Sequence, residues 1–351
     1  MDFSDSLNSA IHHAIEREPI AGLAVALLHD TDIVHHNFGV LRLGETQPVN
    51  EQTIFAAASL TKPLVAYLAL LLVDRGILHL DTPLRHYLTR SYLPEEPRAD
   101  SITLRHVLSH QSGFPNWRPR GEPLVMHAAP GQQFRYSGEG YQYLQHGLEQ
   151  LTGVRLDALL HEQLLQPLAL SSSSLVWQPF MEGRAAAGHD AGRNWDMPRQ
   201  DVPYSAYSLY TTLLDYARFV QVLISDADDV PPALRLSPEL RAQIFAPQVQ
   251  VGEWPTLFWG LGWGIQATAS GHLVWHWGAN YGYRSYVAFS TTHRTGIIML
   301  TNDQKGLYTC RELLARLDAP ALNGVHPAFD WLLPDNAWRE DGQRTSSASM
   351  Q

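Results

Sequence analysis

A single cysteine, Cys310, is all that this chain of 351 residues contains. That excludes an intrachain disulfide and fits a reducing compartment. Long apolar runs are missing too. The longest, Leu64 to Val73, falls well short of the about 20 residues that span a bilayer. The first stretch carries Asp2, Asp5, Glu16 and Glu18 and does not resemble a secretory leader, so the expected location is cytoplasmic. Basic residues are scarce: 25 Lys and Arg against 35 Asp and Glu leave a net charge of −10, which argues against nucleic acid and anionic membranes as partners. The 17 histidines form no His-Glu-x-x-His pattern. His272 and His276 on one strand would stand roughly 13 Å apart. The pairs His12-His13 and His35-His36 diverge as chain neighbours do. Neither a metal nor any other cofactor is expected. No internal repeat is present.

What is there is a globular composition, 45% apolar and 17% charged. The length calls for one large domain or two interleaved lobes. Residues 3–17 read as an amphipathic helix with Leu7, Ile11, Ala14 and Ile15 on one side. Residues 21–29 and 33–40 read as a hairpin turning at Asp30-Thr31-Asp32. From Lys62 to Val73 the chain is apolar all round, which predicts a helix buried on every side, closed by Gly76. The middle, about 77–250, holds helical patterns at 103–109, 141–152, 155–165 and 212–225, broken by Pro and Gly. Strand signals return at 272–276, 284–290 and 294–301. Strands at both ends with helices between them predict an α/β lobe of about 5–75 and 255–320, with a helical lobe of about 76–254 inserted. Residues 321–351 form a polar extension, expected to fray after about 335.

The most informative stretch is Phe55-Ala-Ala-Ala-Ser59-Leu-Thr-Lys62-Pro63. On a helix, i and i+3 share a face, so this spacing brings a hydroxyl within reach of an amine. Proline is tolerated only in the first turn, so Ser59 belongs near a helix N-terminus, where free N–H groups favour a developing oxyanion. Lys62 leads an apolar run, and a desolvated lysine has a lowered pKa and can act as a base. The alternative is an N-cap serine beside a solvated lysine.

Two later elements bear on that choice. Pro130-Gly131-Gln-Gln-Phe-Arg-Tyr136-Ser137-Gly138-Glu-Gly140-Tyr141 puts a phenol on a glycine-flanked turn ahead of a helix. Near Lys62, Tyr136 could pass a proton to a leaving group; otherwise it is a packed core tyrosine. Trp275-His276-Trp277-Gly278-Ala279-Asn280 follows strand-like sequence. There a backbone N–H just after Gly278 could serve an oxyanion.

In this order and spacing the chain resembles the serine β-lactamase and penicillin-binding-protein superfamily, specifically the class C β-lactamase-like hydrolases. The resemblance covers about 5–320 and rests on Ser59-Leu-Thr-Lys62, Leu108-Ser-His110-Gln-Ser112-Gly113, Pro130-Gly131 with Tyr136-Ser137, and Tyr207-Ser-Leu-Tyr-Thr-Thr with Asp215-Tyr-Ala-Arg-Phe219. Gly260-Leu-Gly-Trp-Gly264, His276-Trp-Gly278 and Leu300-Thr-Asn302 complete it. It implies an α+β fold, a mainly antiparallel sheet flanked by helices with an inserted helical lobe and the site between the lobes. It further implies Ser59 as nucleophile, Lys62 as base, Tyr136 as second proton carrier, and the backbone N–H groups of Ser59 and Ala279 as oxyanion hole. Gly138, His276, Trp277, Gly278, Asn280 and Arg284 would lie along the substrate.

Two positions depart from that pattern. Gly138 stands where β-lactamases and D,D-peptidases usually show Asn, and His276-Trp277 where many show Lys-Thr. The expected activity is therefore a serine hydrolase or acyltransferase working on a small ester or amide, of esterase or D-aminopeptidase type. A β-lactamase or D,D-carboxypeptidase is the alternative, and a non-catalytic ligand-binding member is the third reading. Cys310 reads as a buried structural residue and His110 as the tie of a turn. Trp254, Trp259, Trp263, Trp275 and Trp277 read as core, part of it walling an apolar pocket.

Overall fold

The structure, a computed structural model, describes residues 3–269, 271–319, 322 and 326–333. The chain beyond 333, where fraying is expected, lies outside the described residues. The strands are β1 (Gly22–His29), β2 (Asp32–Gly39), β3 (Phe55–Ala58), β4 (Gly188–Asp190), β5 (Arg193–Trp195), β6 (Leu209–Thr211), β7 (Val249–Gln250), β8 (Leu257–Trp259), β9 (Gly264–Thr268), β10 (Gly271–Asn280), β11 (Tyr283–Ser290) and β12 (Thr295–Thr301). Eight of them form one antiparallel sheet in the order β2-β1-β12-β11-β10-β9-β8-β7. The start of the chain thus pairs with its late part, Val25 opposite Met299.

Helices cover both faces: α1 (Phe3–Arg17), α2 (Thr61–Asp74), α3 (Leu104–Leu108), α4 (Gly138–Thr152), α5 (Leu156–Leu160), α6 (Leu213–Ile224), α7 (Pro238–Ile244), α8 (Gly306–Arg316) and α9 (Pro327–Leu332). Strand alternation divides the core between the faces. Ala24, Ala26 and Leu28 of β1 pack on the side of α2, α4 and α6, and Leu23, Val25 and Leu27 on the side of α1, α8 and α9. Every residue of α2 from Thr61 to Leu72 is buried, as an all-round apolar helix requires. Gly76 follows it with φ of +71°, and its N–H donates to the Val73 carbonyl at 2.9 Å.

The structure differs from the sequence expectations in three places. The middle of the chain, read as helical, also contributes β4, β5 and β6, whose three residues each are too few to show an alternating pattern. β7, within the stretch assigned to the helical lobe, joins the large sheet. The segment read as a polar extension contains α9, whose Phe329, Trp331 and Leu332 pack into the core beside α8. Cys310 is buried in α8, and burial pushes its thiol well above the ordinary range.

Candidate active site

Ser59 stands where β3 turns into α2. The turn is strained: Ala58 has φ of +52°, a left-handed conformation that a residue with a Cβ rarely adopts. Thr61 holds it down. Its hydroxyl donates to the Ala58 carbonyl at 2.7 Å and accepts from the Leu209 N–H of β6 at 2.9 Å. β10 presses on the other side, and a Cβ at Gly278 would fall 2.2 Å from the Ala57 carbonyl oxygen. Only glycine lets the strand come so near.

Pro63 lies in the first turn of α2, and the helix is capped at Leu60 without any side-chain bond. The hydroxyl of Ser59 is therefore not engaged in capping. It lies 3.0 Å from Lys62 Nζ, which also donates to the Ala206 carbonyl at 2.9 Å. Lys62 is fully buried, and burial holds its amine well below the ordinary lysine value. Lys62 forms no ion pair among the described residues.

Tyr136 completes the group. Its ring centre lies 4.8 Å from Lys62 Nζ. Burial pushes its phenol well up, and a hydrogen bond with Ser59 opposes that rise. An amine that burial makes a weaker holder of its proton and a phenol that burial keeps protonated thus flank one hydroxyl. The Tyr136 turn is fixed from behind by His110, whose Nδ1 accepts from the Ser137 N–H at 3.1 Å and whose carbonyl accepts from Arg135 N–H at 2.7 Å. The His110 and Tyr136 rings lie 4.2 Å apart. Because Nδ1 accepts, the His110 proton is assigned to Nε2. Ser137 then caps α4, accepting from Gly140 N–H at 2.8 Å.

A cleft of about 1770 Å³ opens over Ser59. Of the residues singled out from sequence, Ser59, Tyr136, Trp277, Ala279, Asn280 and Arg284 line it. Lys62, Gly138, His276 and Gly278 are buried around it and do not line it. His276 Nδ1 lies 2.8 Å from the Trp277 carbonyl oxygen, and burial, reinforced by the charge of Lys62, pushes its imidazole down to about 3. It carries no charge there. Arg284 Nη1 donates to the carbonyls of Asn280 and Tyr283, the latter at 2.8 Å. Burial brings its guanidinium down to about 10, against the pull of Asp190 and Asp303.

Sequence reasoning missed several residues of the wall. Trp117 occupies the space beside Gly138, where a Cβ would lie 2.6 Å from its ring. Asn116 Oδ1 accepts from Gly138 N–H at 3.1 Å, which orients its amide at the cleft. Trp117 meets Tyr207 edge-on at 5.5 Å, and Tyr207 stacks on Tyr204 at 4.9 Å. The Pro115-Asn116-Trp117 turn just after the His110 motif was the available signal, but no spacing relates it to Tyr204 and Tyr207. Of the late tryptophans, Trp259, Trp263 and Trp275 are core, and Trp277 walls the cleft. Among the described residues no cluster of three or more His, Cys, Asp or Glu side chains could hold a metal, and no helix is long and apolar enough to cross a membrane.

Comparison with known proteins bears on the family and the fold. The family model described as Beta-lactamase matches residues 7–320. Penicillin-binding protein 4 of Amycolatopsis lactamdurans is 27% identical over 311 residues, 81% of either chain. Esterase EstB of Burkholderia gladioli is 30% identical over 192 residues, 47% of this chain and 46% of its own length. A crystal structure of a beta-lactamase/D-alanine carboxypeptidase from Pseudomonas syringae superposes with a TM-score of 0.78 at 18% identity, covering 90% of this chain and 98% of that one.

Proposed function

The chain belongs to the beta-lactamase family and is a serine hydrolase of acyl-enzyme type, and from that premise we propose that Ser59, Lys62 and Tyr136 open a small, neutral ester or amide. The observation that carries this reading is the 3.0 Å contact between Ser59 Oγ and a buried lysine amine whose hold on its proton burial weakens. The amine takes the hydroxyl proton as Oγ attacks the substrate carbonyl. The oxyanion is held by the backbone N–H groups of Ser59 and Ala279, both at the cleft. Tyr136, kept protonated by burial, gives its proton to the leaving oxygen or nitrogen and recovers one from Lys62. Water, deprotonated by the same pair, then releases the acyl group and restores Ser59.

Support for a neutral substrate comes from the wall. His276 brings no cation, and Trp277, nearly buried, adds an apolar part of the wall. A carboxylate buried against Trp277 and out of reach of Arg118, Arg120, Arg284 and Lys305, the cations of the cleft lining, would cost several kcal/mol. The test is intact mass spectrometry with a fluorophosphonate and with aryl esters. One adduct on Ser59 is expected, and Ser59→Ala should lose adduct and turnover while keeping its fold. Wild-type kcat in Ser59→Ala would rule out the assignment.

A further inference from the structure

The family match ends at residue 320, yet the cleft does not. Leu332 and Leu333, at the end of α9, line it together with Trp277, Leu307 and Tyr308. Trp331 connects this wall to the reacting group: its ring stands edge-on to Trp277 at 5.2 Å, and Trp277 lies 4.6 Å from the Tyr136 ring. Trp331 also packs on Trp275 at 5.8 Å and Phe134 at 6.0 Å, which fixes α9 against the sheet. Trp331, outside the matched family domain, is thus joined to Tyr136 through the one intervening ring of Trp277, and its neighbours Leu332 and Leu333 line the same cleft. A cleft of about 1770 Å³ is far larger than an acetyl or alanyl group needs, and Trp277, Leu307, Tyr308, Leu332 and Leu333 give it an aliphatic and aromatic lining alongside Gln304 and Lys305.

We propose that α9 and Leu333 close a hydrophobic subsite that selects substrates carrying an extended alkyl or aryl substituent on one side of the scissile bond. The proposal rests on the acyl-enzyme reading of Ser59. It adds that selection is vested in the segment after residue 320. Each methylene moved from water into such a subsite strengthens binding by about fourfold. Removing two leucine side chains weakens it for long substituents and spares short ones.

Two ester series test this on the full chain: 4-nitrophenyl esters from acetate to octanoate, and acetate esters from methyl to octyl alcohol. In wild type, kcat/KM should climb with chain length in one series. In Leu332→Ala/Leu333→Ala the long members should lose about tenfold or more, with the shortest member within about twofold. Leu333→Trp, which fills the subsite without emptying the core, should exclude long members and spare the shortest, and it covers the case in which the double variant folds poorly. Stoichiometric fluorophosphonate labelling of Ser59 certifies each variant's site. In the Ser59→Ala background, calorimetric binding of octanamide against acetamide reads the subsite without turnover. Absence of labelling and turnover in wild type would overturn the acyl-enzyme reading, and the amide arm would still decide the subsite. Equal chain-length slopes in wild type and both variants, or equal binding of the two amides, would overturn the subsite.

Discussion

The two sides of Ser59 are built on opposite terms. Behind it lies a buried group of Lys62, Tyr136, His110 and His276, of which Tyr136 alone also borders the cleft, and burial drives every titration in it toward the neutral form. In front lies an open cleft walled by Trp117, Tyr204, Tyr207 and Trp277 at one level and by Leu332 and Leu333 at another. The proposed proton transfer between Ser59 and Lys62 would need a short, fixed distance and a dry setting, and the hydrogen bonds and glycine contacts of the rear supply both. Recognition of a substituent needs only shape and apolar area, so the front is assembled from side chains that few bonds constrain. Changes behind the serine should therefore be severe and largely insensitive to the substrate. Changes in front should be mild and substrate-specific.

The largest effects are expected from Lys62→Met and Tyr136→Phe. Each should lower kcat by roughly 10²–10⁴, and the double variant should be little worse than the worse single, because the two act as a unit. Fully additive losses in steady-state kinetics would separate their roles and dissolve the picture of one buried group.

The pH dependence follows from the same burial. The Lys62 amine is lowered, so kcat/KM should fall on the acid side only as pH drops through that lowered value, and the alkaline limb set by Tyr136 should be displaced upward. Stability changes with pH in the same direction as activity. Burial makes the folded state bind the Lys62 proton more weakly than the unfolded chain does, so this group's cost is full at low pH and fades as pH rises to the ordinary lysine value. Lys62→Met should accordingly raise Tm at pH 7 by roughly 1–2 °C for each kcal/mol of relieved burial, with a gain that shrinks toward alkaline pH. Calorimetry showing a pH-independent gain would place its origin in packing and not in the buried charge.

The smallest effect belongs to the front wall. An aryl ester should be preferred over the same ester bearing a carboxylate on its acyl side, because His276 is neutral and Arg284 is engaged with two backbone carbonyls. Arg284→Ala should change that ratio by no more than a few-fold, measured as kcat/KM. A clear preference for the carboxylate that disappears in Arg284→Ala would show the guanidinium leaving its carbonyls to meet the substrate, and would shift the reading toward D,D-peptidase chemistry.

Much of the rear was readable in one dimension. Ser59 and Lys62 are three apart, Pro63 restricts where the helix begins, and the apolar run to Val73 implies a buried amine. The Tyr136 turn announces itself by Gly131 and Gly138 on either side, and the β1–β2 hairpin by Asp30-Thr31-Asp32. Such features depend on periodicity and backbone sterics within a few residues, which the order of amino acids alone specifies. Only the tertiary structure decided that Ala206, brought in by the pairing of β3 with β6, accepts the second Lys62 bond. The same holds for Trp117 filling the space beside Gly138, and for α9 folding back to set Leu332 and Leu333 in the cleft. Each joins residues far apart in the chain through contacts of shape and burial, and neither leaves a period or a spacing in the sequence to be read.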